Sequence, residues 1–170
     1  MIVGFSGKAR AGKDTCADYL VSKYGFRKVS LADPLKQIAI KYFGLTHDEV
    51  YVTKEPHVRR ILQGLGMAMR GEINENVWIN KLMRSFNSEE NVVVPDIRMS
   101  NEVDMLIRCK GAVVRIERDV SIGGDEKDHA TEKELDDYLF PQYVHNDGTI
   151  DDLYKKIDGV MFNLGFGVVK

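Results

Sequence analysis

Two kinds of apolar run alternate along the chain. The first is short and nearly continuous: Ile2 to Phe5, Val92 to Val94, and Ala112 to Ile116. Runs this short and this rich in valine and isoleucine predict strands buried on both faces of a parallel sheet. Phe26, Val29 and Leu31 mark a further strand over 26–31, and Gln142 to His145 reads as a fifth. The second kind of run recurs at three and four residues, the helical period. It begins after Gly12 and continues to about Tyr24, and it returns between each later pair of strands.

The helix signals are local. Asp33 reads as a cap with Pro34 at the first helical position, and Leu35, Ile38, Ala39 and Tyr42 share one face up to Gly44. Thr46-x-x-Glu49 is a capping box for a short helix. A longer helix is predicted over 56–69, with Val58, Ile61, Leu62, Leu65 and Met69 inward, and another over 74–86, carrying the one tryptophan, Trp78. Met99 to Cys109 is predicted helical with Val103, Leu106 and Ile107 inward. Asp119 to Asp128 is polar, holds Gly123-Gly124, and reads as a mobile, lid-like loop. Thr131-x-x-Glu134 is a second capping box; Thr149 caps a last helix whose face is Leu153, Ile157, Met161 and Leu164. Strand and helix alternate throughout, so the expected fold is α/β: a five-stranded parallel sheet with helices on both faces in a single domain.

Composition narrows the class. The 170 residues are 44% hydrophobic and 29% charged, with a net charge of −2, ordinary values for a globular domain with a real core. The absence of bulk basicity speaks against a nucleic-acid polymer or a membrane surface as partner. Cys16 and Cys109 lack metal-ligand spacing and read as reduced thiols. The apolar start is too short for a signal peptide and no run reaches transmembrane length, so the cytoplasm is the expected compartment.

The chemistry concentrates after the first strand. Gly7, four residues, Gly12 and Lys13 lie between a strand and a helix, the context of a phosphate-binding loop. Its glycines let successive N–H groups face phosphate oxygens, with the helix N-terminus adding partial positive charge. Lys13 would reach the β- and γ-phosphates. The next position usually holds Ser or Thr as a magnesium ligand; here it is Asp14, followed by Thr15. Two readings of Asp14 stand: a carboxylate that holds magnesium, directly or through water, or an acidic residue favoured in the first turn of a helix. The buried strand at 92–94 delivers Asp96 and Arg98 to its carboxyl end, where ligands collect in open α/β sheets. Magnesium and phosphate contacts are one reading of this pair and a structural salt bridge the other. Arg59, Arg60 and Gln63 share a helix face; their spacing alone favours a solvated surface, and Trp78 alone reads as core. Lys13, Arg10, Arg59, Arg60, Arg98 and Arg118 provide the separated cations that phosphoryl transfer needs.

These motifs resemble the bacteriophage deoxynucleoside monophosphate kinases. The likeness rests on GKARAGKDT, LADPLK, VRRILQGLG followed by Trp78, VVPDIR with Asn101-Glu102 downstream, DHATE and NDGTIDDL, in family order from about residue 2 to 157. The GKD-T form of the loop is itself typical of that family. The resemblance implies a P-loop NTPase fold of the nucleoside monophosphate kinase kind with a small lid near 118–130. It implies transfer of the ATP γ-phosphoryl group to a deoxynucleoside monophosphate, with magnesium, and homodimerisation as a family-level expectation. Carried over, Gly7, Arg10, Ala11, Gly12, Lys13, Asp14 and Thr15 bind ATP phosphates, and Asn146 and Gly148 fall at the adenine pocket. Lys36, Arg59, Arg60, Gln63, Gly66 and Trp78 line the monophosphate site. Asp96 and Arg98 lie between the nucleotides, with Asp14 and Asp96 toward the metal, and Arg118 belongs to the lid side. The segment between Leu45 and Pro56 is short for the family, which bears on base selectivity.

Two other classes fit parts of the pattern. A different small kinase, of the dephospho-coenzyme A or phosphomevalonate type, would share the loop, and the Arg59-Arg60-x-x-Gln63 helix followed by Trp78 speaks against it. A non-catalytic ATP sensor would need fewer charges aimed at a transferred group than Lys13, Asp96, Arg98 and Arg118 provide.

Overall fold

The computed structural model describes residues 1–53, 55–119 and 134–166. The chain divides into two compact units: Met1–Val29 with Asn87–Lys170, and Ser30–Phe86. In sequence the second unit is inserted between the second and third strands of the first.

The first unit holds five strands: β1 (Ile2–Ser6), β2 (Arg27–Lys28), β3 (Val92–Ile97), β4 (Ala112–Glu117) and β5 (Gln142–His145). They form one sheet in the order β2-β3-β1-β4-β5, and every neighbouring pair is parallel. β1 is therefore central. Its odd positions, Val3 and Phe5, pack with Val93, Val114, Ile116 and Val144 against α1 (Lys13–Tyr24) and the last helix, α6 (Ile150–Asn163). Cys16, Ala17 and Leu20 of α1 and Leu153, Ile157, Val160 and Met161 of α6 complete that layer. The opposite face belongs to α5 (Ser100–Arg108), whose Val103 and Leu106 are buried. A side-chain carbon at Gly4 would stand 2.6 Å from Leu106 Cδ1, so the missing side chain lets α5 lie close on β1. Period-two alternation thus sorts β1 between two helical layers.

Several elements differ from the sequence reading. β2 is two residues long, not six; its ladder to β3 is extended by Val29 N–H donating to Val93 C=O at 3.0 Å. β3 runs on through Pro95 and Asp96 to Ile97, with a register shift against β1 after Gly4. Such a bulge tolerates a residue that cannot donate to the ladder. Ile107 is 40% exposed: Val103 and Leu106 alone suffice to cover that stripe of the sheet. Burial pushes the Cys16 thiol up to about 12, which leaves it an inert packing group.

The second unit contains α2 (Asp33–Phe43), a π-helical turn (Glu49–Thr53), α3 (Pro56–Glu72) and α4 (Val77–Met83). Asp33 lies inside α2 rather than capping it; Ala32 is the cap, and its N–H donates to Ser30 Oγ at 3.1 Å. Gly44 ends the helix at φ 73°, a left-handed cap. The Thr46–Glu49 box is formed in both directions: Thr46 N–H and Oγ1 donate to the Glu49 carboxylate, each at 2.7 Å, and Glu49 N–H donates back at 3.3 Å. On α3, Val58 and Gly66 are buried while Ile61 is 40% exposed, so the helix is rotated from its predicted face. Burying a glycine lets Leu35 and Trp78 approach its backbone, a contact that period counting does not see. α4 covers only half of the helix predicted over 74–86. Trp78, Ile79 and Leu82 are its buried residues.

Among the described residues no helix is long and apolar enough to cross a membrane. The expected lid, beyond Asp119, and the capping box at Thr131 lie outside the described residues.

Ile157 lies fully buried on α6 between α1 and the sheet. Ile157→Ala should destabilise the protein by about 2–5 kcal/mol, the range for truncating a core isoleucine. Urea unfolding should show a lower midpoint at unchanged slope.

Candidate active site

The loop between β1 and α1 is set by backbone conformation. Gly7, Arg10 and Gly12 have φ of 151°, 64° and 107°. The left-handed Gly12 turns the chain into α1, and its own carbonyl accepts the first helical bond from Cys16 N–H at 3.0 Å. Arg10 adopts positive φ without being glycine, a conformation that persists only where its surroundings impose it. Both loop ends are clamped. At the entry, a Cβ on Gly7 would lie 2.4 Å from the Ile116 carbonyl oxygen of β4; at the exit, one on Gly12 would lie 2.7 Å from Asn146 Nδ2. Lys13 Nζ folds back over the loop, donating to Gly7 C=O at 2.6 Å and Lys8 C=O at 2.8 Å.

This loop forms one wall of an open cleft of about 360 Å³, a volume within the range of small-molecule sites. Arg10, Gly12, Lys13, Asp14 and Thr15 line it on one side. Arg118 at the end of β4 and the β5–α6 turn, with Asn146, Gly148, Ile150 and Leu153, line the rest. Ile150 and Leu153 were not singled out from the sequence as site residues. Thr149 positions them: its Oγ1 accepts from Asp152 N–H at 3.2 Å and fixes the first turn of α6. The amide of Asn146 is committed, however. Its Nδ2 donates to Ala11 C=O at 2.9 Å in a buried position, so the residue expected at an adenine pocket braces the phosphate loop.

Asp14 is engaged too. Lys28 Nζ stands 2.8 Å from the Asp14 carboxylate and 2.9 Å from that of Asp18. Partial burial pulls the Lys28 ammonium down and the bonds from Asp14 and Asp18 outweigh it, so it titrates above the usual lysine range. Nothing in the pattern of β2 marked Lys28; only the fold brings it to the first turn of α1. Among the described residues no three His, Cys, Asp or Glu side chains cluster for a metal. Asp14, Thr15 and Asp96 carry the oxygen donors that would suit a hard cation such as magnesium.

Asp96, half-buried, and Arg98 stand at the carboxyl end of β3, the strand next to β1. Arg98 is held by Glu102, which the sequence marked only as part of a motif. Glu102, 2% exposed, accepts from Arg98 N–H at 2.8 Å and Met99 N–H at 3.1 Å, closing the turn into α5. An acidic residue three positions into a helix is the signal that could have found it.

The remaining candidates belong to the second unit. Arg59 is half-buried, Arg60 exposed and Gln63 half-buried on α3. Lys36 Nζ lies 3.6 Å from Asp33 and 4.3 Å from the ring centre of Tyr51. Trp78 donates from Nε1 to Gly66 C=O at 3.1 Å, in a buried position. A Cβ on Gly66 would lie 3.3 Å from Leu35 and 4.0 Å from that indole nitrogen. Trp78 and Gly66 thus lock α4 onto α3 and α2, and the indole N–H is spent inside the unit. The resemblance implied that both line the monophosphate site; in the structure both pack inside this unit.

A family model described as deoxynucleotide monophosphate kinase matches residues 1–56 and 45–157. The chain belongs to this deoxynucleotide monophosphate kinase family. A relative in Acanthamoeba polyphaga mimivirus, whose provisional name is deoxynucleotide monophosphate kinase, is 28% identical over 92% of this chain and 94% of its own. The uncharacterised ORF77 protein of Ictalurid herpesvirus 1 is 27% identical over 87% of this chain, which spans 64% of that longer protein. Among solved structures, shikimate kinase from Aquifex aeolicus superposes with a TM-score of 0.56 at 15% identity, over 98% of this chain and 99% of that one. A gluconokinase from Sinorhizobium meliloti gives 0.52 at 15% identity, over 96% and 95%. At such identity these two show the fold alone: the P-loop kinase fold expected from the loop and the parallel sheet.

Membership of the deoxynucleotide monophosphate kinase family and this fold together make the protein a small phosphotransferase of the P-loop class. The clamp at Asn146 is then testable. Asn146→Ala leaves the Ala11 carbonyl without its buried donor, which should cost about 1–3 kcal/mol of stability. Denaturant unfolding should show the loss, and Asn146→Asp, which sets a carboxylate against the carbonyl, should not recover it.

Proposed function

We propose that the protein transfers the γ-phosphoryl group of ATP to a deoxynucleoside 5′-monophosphate, giving the diphosphate and ADP. The observation that carries this reading is the phosphate loop clamped open on a cleft whose other lining residues include Arg118 and the β5–α6 turn. The ATP triphosphate would lie along the N–H groups of Gly7 to Thr15, with Lys13 leaving its two loop carbonyls for phosphate oxygens. The base would rest against Ile150 and Leu153 beside Gly148. Arg10, Arg98 and Arg118 would neutralise charge on the transferring group.

An oxygen of the acceptor phosphate attacks the γ-phosphorus while the bond to the bridging oxygen breaks, leaving ADP. The requirement is placement and charge neutralisation rather than covalent catalysis. Asp14 and Asp96 would hold magnesium on the phosphates, where it would supply further charge neutralisation. On α3, Arg59 and Arg60 suit bidentate recognition of the acceptor phosphate; the Gln63 amide can both donate to and accept from a base edge.

A coupled assay of ADP release over the four deoxynucleoside monophosphates and their ribo counterparts tests the reading. Turnover should require a monophosphate and favour the deoxy series; steady ATP hydrolysis indifferent to monophosphates would overturn it. Lys13→Ala should lower turnover at least about a hundredfold, the scale of removing one preorganised electrostatic group, with thermal unfolding unchanged. Arg60→Ala should raise the monophosphate KM strongly and leave the ATP KM within a few-fold. Gln63→Ala should instead reorder the bases by roughly ten- to a hundredfold, the worth of one specific hydrogen-bonding partner. Varying each substrate separately separates these outcomes.

A further inference from the structure

The entry to the phosphate loop is tied to a segment that the proposed chemistry leaves unused. Residues 134–140, a turn followed by irregular chain, are fixed at alternate positions. Glu134 accepts from Ser100 Oγ at 3.0 Å and Tyr138 OH donates to Asp104 at 2.8 Å, both on α5. The Phe140 ring centre lies 5.3 Å from the Arg115 guanidinium of β4. Between them, Asp136 reaches the loop: one carboxylate oxygen is 3.2 Å from Lys8 Nζ and the other 3.5 Å from Arg115 Nη2. Arg115 in turn donates from Nη1 to Ser6 Oγ at 3.1 Å. Ser6 is fully buried and immediately precedes Gly7.

We propose that Asp136 is a positioning residue for nucleotide binding: by holding Lys8 directly, and Ser6 through Arg115, it sets the entry of the phosphate loop. This rests on reading that loop as the ATP phosphate site. The Arg115 side chain is only 11% exposed, so its charge is poorly solvated and needs a carboxylate nearby. Lys8 is half exposed, and an ion pair so exposed adds little to stability. Its consequence is geometric. It fixes the second residue of a loop whose N–H groups must converge on phosphate, and small misplacements there weaken binding far more than they weaken the fold.

Calorimetric titration of the protein with magnesium-ATP, without acceptor, tests this alongside steady-state kinetics and thermal unfolding of the same samples. Asp136→Asn should weaken ATP binding about tenfold and raise the ATP KM in parallel, with a smaller effect on saturated turnover and on the monophosphate KM, the signature of lost binding geometry. Asp136→Glu should restore affinity to within about threefold, since it keeps the carboxylate. Lys8→Ala should add little to Asp136→Asn if the two act as a unit. Unchanged or tighter ATP binding in Asp136→Asn would overturn the proposal, and so would equal damage to both KM values with an early melt. A wild-type protein that binds no magnesium-ATP would instead overturn the reading of the loop itself.

Discussion

A phosphate-binding loop has to keep its backbone N–H groups turned inward and unsatisfied until a ligand arrives. Such a loop needs more than its own hydrogen bonds, here from Ala11 N–H to Lys8 C=O and from Lys13 Nζ to Gly7 and Lys8 C=O, so other elements hold its ends. Here the entry meets the Ile116 carbonyl and the Arg115 side chain of β4, and the exit meets the Asn146 amide after β5. The strand order places β4 beside β1 and β5 beside β4. The sheet topology thereby determines which side chains can brace the loop. The interior behind it is apolar, formed by α1 and α6 on the sheet face that carries Val3 and Phe5.

Charge is organised around the same constraint. Three lysines near the loop are held by protein oxygens: Lys13 by the carbonyls of Gly7 and Lys8, Lys8 by Asp136, and Lys28 by Asp14 and Asp18. The Lys8 pair with Asp136 is exposed and adds little to stability, so its consequence lies in where it holds the loop entry. Arg115 differs, being mostly buried and joined to Ser6 and Asp136, and it stays with the scaffold.

The sequence carried most of the first unit and less of the second, for a physical reason. Strands buried on both faces leave unbroken valine runs, and a glycine loop between strand and helix is punctuated by residues with few other uses, so β1, β3, β4, α1 and the loop were legible. Of the deoxynucleotide monophosphate kinase motifs, GKARAGKDT and VVPDIR sit in the same places, while LADPLK and VRRILQGLG lie in the second unit. On α3 the rule failed. Spacing assigned Ile61 to the interior, but the helix buries Gly66 against Leu35 and Trp78, and hydrophobic period gives a glycine no weight. The residues that spacing missed, Lys28, Arg115 and Asp136, lie on other elements than the residues they touch, and no local pattern records that contact.

Asn146 shows how a motif can be identified correctly and its role still depend on the fold. The NDG turn after β5 was expected at the adenine pocket, and the structure does place Asn146, Gly148 and Ile150 on the cleft. A side-chain amide can read a base or brace a backbone, and the residue type does not say which. Its Nδ2 donates to the Ala11 carbonyl, in a position too buried for water to satisfy that oxygen instead. Moving the amide to a base would strand a buried acceptor, at a cost comparable to the worth of the new hydrogen bond. The bracing role therefore persists when the cleft is filled.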